Sequence, residues 1–162
     1  MPPSCLTPVM GETSAGILLY RRRAAGIEVY IGHMGGPFWR GKDAAAWTIP
    51  KGTYTDEAPL EAALREFAEE IGTPAPDVAY RELGRFRYTS GKVVTVFAGE
   101  CEFDPGPVRS NTFELEWPPR SGRMQAVPEL DDARWFAVDD ARERLVRGQR
   151  PALDALLGLA GT

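Results

Sequence analysis

Two apolar runs, SAGILLYRR and IEVYIGHM, open the patterned part of the chain, and a short turn at 24–26 separates them. Their β-branched and aromatic content predicts a pair of strands. GGPFWRGKDAAA interrupts the pattern with glycines and predicts a mobile loop. WTIP leads into a second loop at 51–56, and from there the period changes. Leu60, Leu64, Phe67 and Ile71 recur at helical spacing and predict a helix over 58–71. Thr55 or Asp56 is placed to cap its start, Gly72 to end it, and Pro74 in TPAP stops any continuation. VAYRELGRFRYTSGKVVTVFAGECEF reads as a long hairpin turning near Ser90 and Gly91. DPGPVRSN is irregular, TFELEW a short strand, PPRSGRMQAVPE a loop and ARWFAV a last strand. Two helices follow over 139–146 and 152–159, with Pro151 starting the second. Strands interleaved with helices predict an α/β fold, a mixed β-sheet covered by helices on both sides. No repeat or internal boundary divides the chain, so 1–162 is expected to be one domain, with residues 1–12 a flexible tail.

The polar side of the 58–71 helix changes the picture. At roughly 100° per residue, Glu69 and Glu70 fall within about 60° of Glu66, so three carboxylates share one face opposite the apolar stripe. An acidic helix surface is often no more than a solvated face. Like charges this close nevertheless repel unless a cation offsets them, and oxygen ligands suit a hard divalent ion.

The flanks make the pattern longer. IPKG precedes the helix, and Glu57, seven residues, then REFAEEIG at 65–72 follow. This resembles the box of the Nudix hydrolase family, G-x5-E-x7-R-E-U-x-E-E-x-G-U, where U is a bulky apolar residue. Two positions depart from it. Four residues rather than five separate Gly52 from Glu57, and Thr73 stands where the last apolar residue falls.

The resemblance implies an α/β/α sandwich with the box as loop–helix–loop. It implies a pyrophosphohydrolase using Mg²⁺, or Mn²⁺, with Glu66, Glu69, Glu70 and the Gly52 carbonyl as metal ligands and Arg65 orienting the acids. Glu129, six residues before Trp135, is the expected further ligand or general base, with Glu114 and Glu116 as competitors. Lys51 stands where a cation meets a substrate phosphate. The Pro-Lys-Gly form is similar to Nudix enzymes that cleave dinucleoside polyphosphates or diphosphoinositol phosphates; with Glu129 it makes a diadenosine tetraphosphate-like compound the first expected substrate and a nucleoside triphosphate, oxidised or not, the second. A nucleobase needs a flat apolar partner. Phe38, Trp39, Trp47, Tyr54 and Trp117 lie in or beside loops, and Trp47 and Tyr54 are nearest the box. The alternative is a non-catalytic nucleotide-binding module on the same fold, supported by the shortened Gly52–Glu57 loop.

Composition narrows the partners. A net charge of −4 argues against a nucleic-acid polymer. Cys5 and Cys101 give neither a disulfide framework nor a zinc spacing, and reduced thiols in the cytoplasm are expected. No signal-peptide pattern or membrane-length run appears. His33 is the one histidine, and no Gly-x-Ser-x-Gly elbow accompanies it, so a serine triad is not supported. The Arg21–Arg23 run more naturally ends an exposed strand than binds substrate. Oligomeric state is not readable from the sequence.

Overall fold

A computed structural model describes residues 13–161 of the chain. The expected tail at 1–12, with Cys5, lies outside the described residues. Nine strands and three helices run in the order β1 (Thr13–Arg23), β2 (Gly26–Met34), β3 (Trp47–Thr48), β4 (Lys51–Thr53), α1 (Pro59–Ile71), β5 (Tyr80–Arg87), β6 (Val93–Glu100), β7 (Thr112–Glu116), β8 (Met124–Pro128), β9 (Leu130–Ala137), α2 (Val138–Arg144) and α3 (Arg150–Ala160). A seven-stranded sheet has the path β3-β2-β1-β6-β5, with β4 also paired to β1 and β9 to β2. The β1–β6 pair is parallel and the remaining pairs of this sheet are antiparallel.

Alternation along β1 divides the core. Ala15, Ile17 and Leu19 pack with Ala62, Ala63, Phe67 and Ile71 of α1, while Leu18 and Tyr20 pack on the other face with Ala141 of α2 and Leu153 and Leu156 of α3. Successive strand residues point to opposite faces, so one strand feeds both layers. Helices on both sides of a mixed sheet make the expected α/β/α sandwich.

Several local expectations change. The 51–56 loop begins as β4, which pairs Thr53, Gly52 and Lys51 with Ser14, Ala15 and Gly16 of β1. Glycine at 16 permits this approach, since a Cβ there would lie 2.7 Å from the Pro50 carbonyl oxygen and 2.8 Å from Lys51 Cβ. Neither Thr55 nor Asp56 caps α1. Ala58 is its N-cap, with no side-chain hydrogen bond, and Pro59 supplies the preset φ of a first helical position. Gly72 ends the helix at φ 88°, in the left-handed region that glycine tolerates. The expected loop 118–129 contains β8, which pairs with β7 as a separate two-stranded hairpin. Its turn signals hid a second strand that only cross-strand pairing reveals. The last strand begins earlier, at Leu130, because it pairs along β2.

Phe67 is fully buried between α1 and the sheet. Phe67→Ala is expected to cost about 3–5 kcal/mol of unfolding free energy in denaturant titration. A loss below about 1 kcal/mol would show that α1 is not anchored through this ring.

Candidate active site

The acids of α1 face a cleft of about 320 Å³ lined by Ser14, Lys51, Gly52, Thr53, Glu66, Glu69, Glu70, Tyr88, Lys92, Val93, Val94, Asn111, Thr112 and Glu129. Four parts of the fold meet there: α1, the β4 segment laid against β1, the β5–β6 turn with the start of β6, and the chain on either side of the β7–β8 hairpin. Contact between β4 and the helix is close. A Cβ at Gly52 would overlap the Glu66 carboxyl group, so any other residue there would displace that carboxylate from its present position. One turn further along α1, the Lys51 backbone N–H donates to Glu70 Oε1 at 3.2 Å.

The carboxylates have unequal surroundings. Glu70 is buried at 8% exposure. Burial pushes its pKa up to about 8, the charges of Glu129 and Glu66 add to the rise, and the Lys51 ammonium and backbone N–H oppose it. Glu129 is also raised, chiefly by burial, with Lys51 lowering it and Glu66 raising it. Glu57 is lowered, first by its hydrogen bonds from Arg65. Arg65 donates from Nε to Glu57 Oε2 at 2.7 Å and from Nη2 to Oε1 at 2.6 Å, a bidentate pair. Its Nη1 reaches Glu66 Oε2 at 2.7 Å and both Glu69 oxygens at 3.4 Å. The short Gly52–Glu57 loop therefore still delivers Glu57 to Arg65.

Segment 109–111 closes the far side. Arg109 N donates to Ile71 O and Asn111 N to Glu69 O, each at 2.9 Å, and Asn111 O accepts from Glu129 N at 2.9 Å. This stitch carries Glu129 from beyond the hairpin to the cleft. Gly35 N donates to Glu129 O at 3.0 Å, and β2 thereby holds the same residue from the other side.

The structure brings together Lys51, Gly52, Glu66, Glu69, Glu70 and Glu129 from the expected set, with Arg65 braced behind them. It does not bring Trp47 or Tyr54. Trp47 is a core residue at 5% exposure, donating through Nε1 to Asp43 Oδ1 at 2.9 Å and packing edge-on to His33 and Phe136. Tyr54 packs beside α1 and lines a separate depression with Thr13, Arg85, Arg87, Val93 and Thr95. Glu114 and Glu116 are exposed on β7 and do not line the cleft. Arg22 and Arg23 pair with Glu100 and Glu102 at a different edge. Sequence reasoning missed Tyr88, Lys92 and Asn111. The hairpin turn at Ser90–Gly91 carried the only signal for the first two, and nothing marked Asn111.

Clustered carboxylates and a lysine thus line one cleft. The family model for the NUDIX domain matches residues 9–156, so the chain belongs to the Nudix family and is a hydrolase acting on pyrophosphate bonds. Similar solved structures include a binary complex of the Ap4A hydrolase of C. elegans, at 21% identity over 93% of this chain and 99% of that chain, with a TM-score of 0.61. The NUDIX domain of Shewanella oneidensis NrtR, complexed with ADP ribose, is 13% identical over 99% of this chain and 94% of that one, at a TM-score of 0.63. A mutT/nudix family protein from Listeria innocua is 13% identical over 93% of this chain and 94% of that one, at 0.60. At these identities the likeness shows the shared fold. No curated protein matches the sequence.

Glu70 gives the site a pH signature. Its folded-state pKa of about 8 lies above the ordinary value of 4.5. Below about pH 4.5 both folded and unfolded chains hold the proton, and the group adds no pH dependence. As pH rises toward 8 the unfolded chain releases it first, so folding stability falls by a few kcal/mol across that window. Unfolding free energies of the metal-free protein are expected to decline between pH 5 and 8 by more than those of Glu70→Gln. Equal slopes would place the Glu70 carboxyl in water.

Proposed function

We propose that the protein hydrolyses a phosphoanhydride bond in a nucleoside diphosphate-linked compound with Mg²⁺, or Mn²⁺, and that a dinucleoside polyphosphate such as diadenosine tetraphosphate is the first substrate to test. A nucleoside triphosphate, including an oxidised one, comes second. One observation carries this reading: Glu66, Glu69, Glu70, Glu129, Gly52 and Lys51 line a single cleft.

Among the described residues, no three acidic, histidine or cysteine side chains are gathered tightly enough to enclose an ion by themselves. The donor set nevertheless suits magnesium, which takes one or two carboxylates and fills its shell with waters and substrate phosphate. Burial holding Glu70 near neutrality also fits, since a cation beside it would restore its charge. Glu66, Glu69, Glu70 and the Gly52 carbonyl would hold the metal, with Glu129 beside them as base rather than ligand, and bound there the metal would supply polarisation of the phosphoryl oxygens and a more acidic water. Arg65 orients Glu66 and Glu69 through its ion pairs, with Glu57 as its brace. Lys51 contacts a substrate phosphate. Glu129, its pKa raised, takes the proton from the attacking water.

A second cavity of about 180 Å³ adjoins the cleft, shares Lys51, Glu70 and Glu129 with it, and carries Met34, Trp39 and Phe113 at its far side. Phe113 is 38% exposed and belongs to none of the ring pairs among the described residues. With Trp47 in the core and Tyr54 elsewhere, Trp39 and Phe113 are the aromatic residues that line this cavity and offer a surface to a nucleobase. No described helix is long and apolar enough to cross a membrane. Cys101 is a free thiol, in keeping with a cytoplasmic location. The bidentate Arg65–Glu57 pair, formed despite the short loop, supports the catalytic reading over a non-catalytic module.

Turnover of a dinucleoside polyphosphate and nucleoside triphosphate panel in ¹⁸O-labelled water with Mg²⁺ identifies the substrate and the phosphorus attacked. Absence of turnover across the panel refutes the catalytic reading. Glu129→Gln is expected to lower kcat about 10²–10⁴-fold while KM stays within a few-fold, as loss of a proton acceptor predicts. Trp39→Ala and Phe113→Ala are expected to raise KM about 10-fold with kcat little changed, the scale of one lost base–aromatic stack. An unchanged KM in both variants would move the base elsewhere.

A further inference from the structure

Gln149, in the 3₁₀ turn between α2 and α3, is fully buried behind the cleft, and its amide has only one possible orientation. The Ile49 backbone N–H donates to its Oε1 at 2.7 Å. A flipped amide would set donor against donor, so the oxygen must face Ile49. Its Nε2 then donates both protons, to Thr48 Oγ1 at 2.9 Å and to Tyr88 Oη at 2.8 Å. Thr48 passes its own proton to Ile49 O at 2.9 Å. The chain of polarities ends at Tyr88, which accepts from the interior and must send its own O–H proton elsewhere.

Among the described residues no group accepts that proton. The Tyr88 ring lines the cleft with the glutamates, Lys51 and Lys92. Its position is tightly set, because a Cβ at Gly148 would overlap the ring. The turn that carries it is closed by Tyr88 N–H to Lys92 O at 2.8 Å and Gly91 N–H to Tyr88 O at 2.9 Å. Burial raises the phenol pKa, so the proton remains on oxygen through neutral pH.

We infer that the buried Gln149 amide fixes the Tyr88 hydroxyl as a hydrogen-bond donor into the cleft, aimed at a non-bridging oxygen of the substrate's phosphate chain. Phosphate oxygens bring acceptors only, and a hydroxyl that has already accepted from Gln149 offers them its donor side. The inference rests on the proposed polyphosphate substrate. It makes Tyr88 a substrate-binding residue and Gln149 a positioning residue acting through it.

Reversing the polarity tests this. In Gln149→Glu a carboxylate accepts from both Ile49 N–H and Tyr88 O–H, turning the tyrosine proton inward. The readout is calorimetric binding of inorganic tripolyphosphate with Mg²⁺, alongside thermal unfolding of each variant and turnover of the dinucleoside polyphosphate. Tyr88→Phe and Gln149→Glu are each expected to weaken tripolyphosphate binding about 10-fold, the scale of one hydrogen bond to a charged acceptor. The double variant is expected to bind no more weakly than Tyr88→Phe alone. A purely structural role for Gln149 predicts the same loss in both backgrounds, and that result overturns the inference, as does unchanged binding by Tyr88→Phe or no binding by the wild type. If Gln149→Glu does not fold, Gln149→Met is compared in the two backgrounds, where its effect is expected to vanish once Tyr88 is Phe. Binding with this pattern but without dinucleotide turnover sinks the substrate reading and leaves the Tyr88 assignment standing.

Discussion

The close approach of the β4 backbone to the acidic face of α1 is the constraint on which the site depends. Gly52 lies where any side chain would overlap the Glu66 carboxyl group, and Lys51 gives its backbone N–H to Glu70. Both contacts require β4 to lie along β1, and this in turn requires Gly16, since the Pro50 carbonyl and Lys51 occupy the space of a side chain there. Two glycines chosen for volume rather than for φ thus press a helix surface rich in charge against backbone. The apolar stripe of α1, with Phe67 at its centre, holds that arrangement in place from behind. Packing supplies the stability, and the glutamates are carried on it at an electrostatic cost.

How much of this was legible follows from where each signal resides. Local pattern was enough for α1, for the two long strands at its front and for the grouping of Glu66, Glu69 and Glu70, because helical spacing alone determines which residues share a face. Lys51 and Glu129 were legible through their place in a longer motif. Strand β8 was not, because its residues sit among Pro and Gly turn signals and its order comes from pairing with β7. Trp47 misled for a related reason. Its nearness to the box along the chain is real, but β3 turns its ring to the far face of the sheet, against Phe136 and His33. Asn111 reaches the cleft through three backbone hydrogen bonds of segment 109–111, Tyr88 through the β5–β6 turn and Phe113 the adjoining cavity through the β7–β8 register, and periodicity carries no trace of such connections.

The balance of charge at the cleft decides between a permanently neutralised acidic cluster and one that calls for a cation. Arg65 spends both of its best-oriented faces on Glu57, touching one oxygen of Glu66 closely and Glu69 only at 3.4 Å. Among the described residues neither Glu70 nor Glu129 forms an ion pair with an arginine. The cleft is lined by four carboxylates together with Lys51 and Lys92. Two of the four have raised pKa values, Glu70 chiefly by burial with Glu129 and Glu66 adding to it, and Glu129 chiefly by burial with Glu66 adding to it. Glu57, unburied and paired with Arg65, is lowered instead. The contrast between Glu57 and Glu70 is therefore one of surroundings: Glu57 is held by a bidentate arginine, while Glu70 is buried on the cleft side of α1 with the Lys51 backbone N–H.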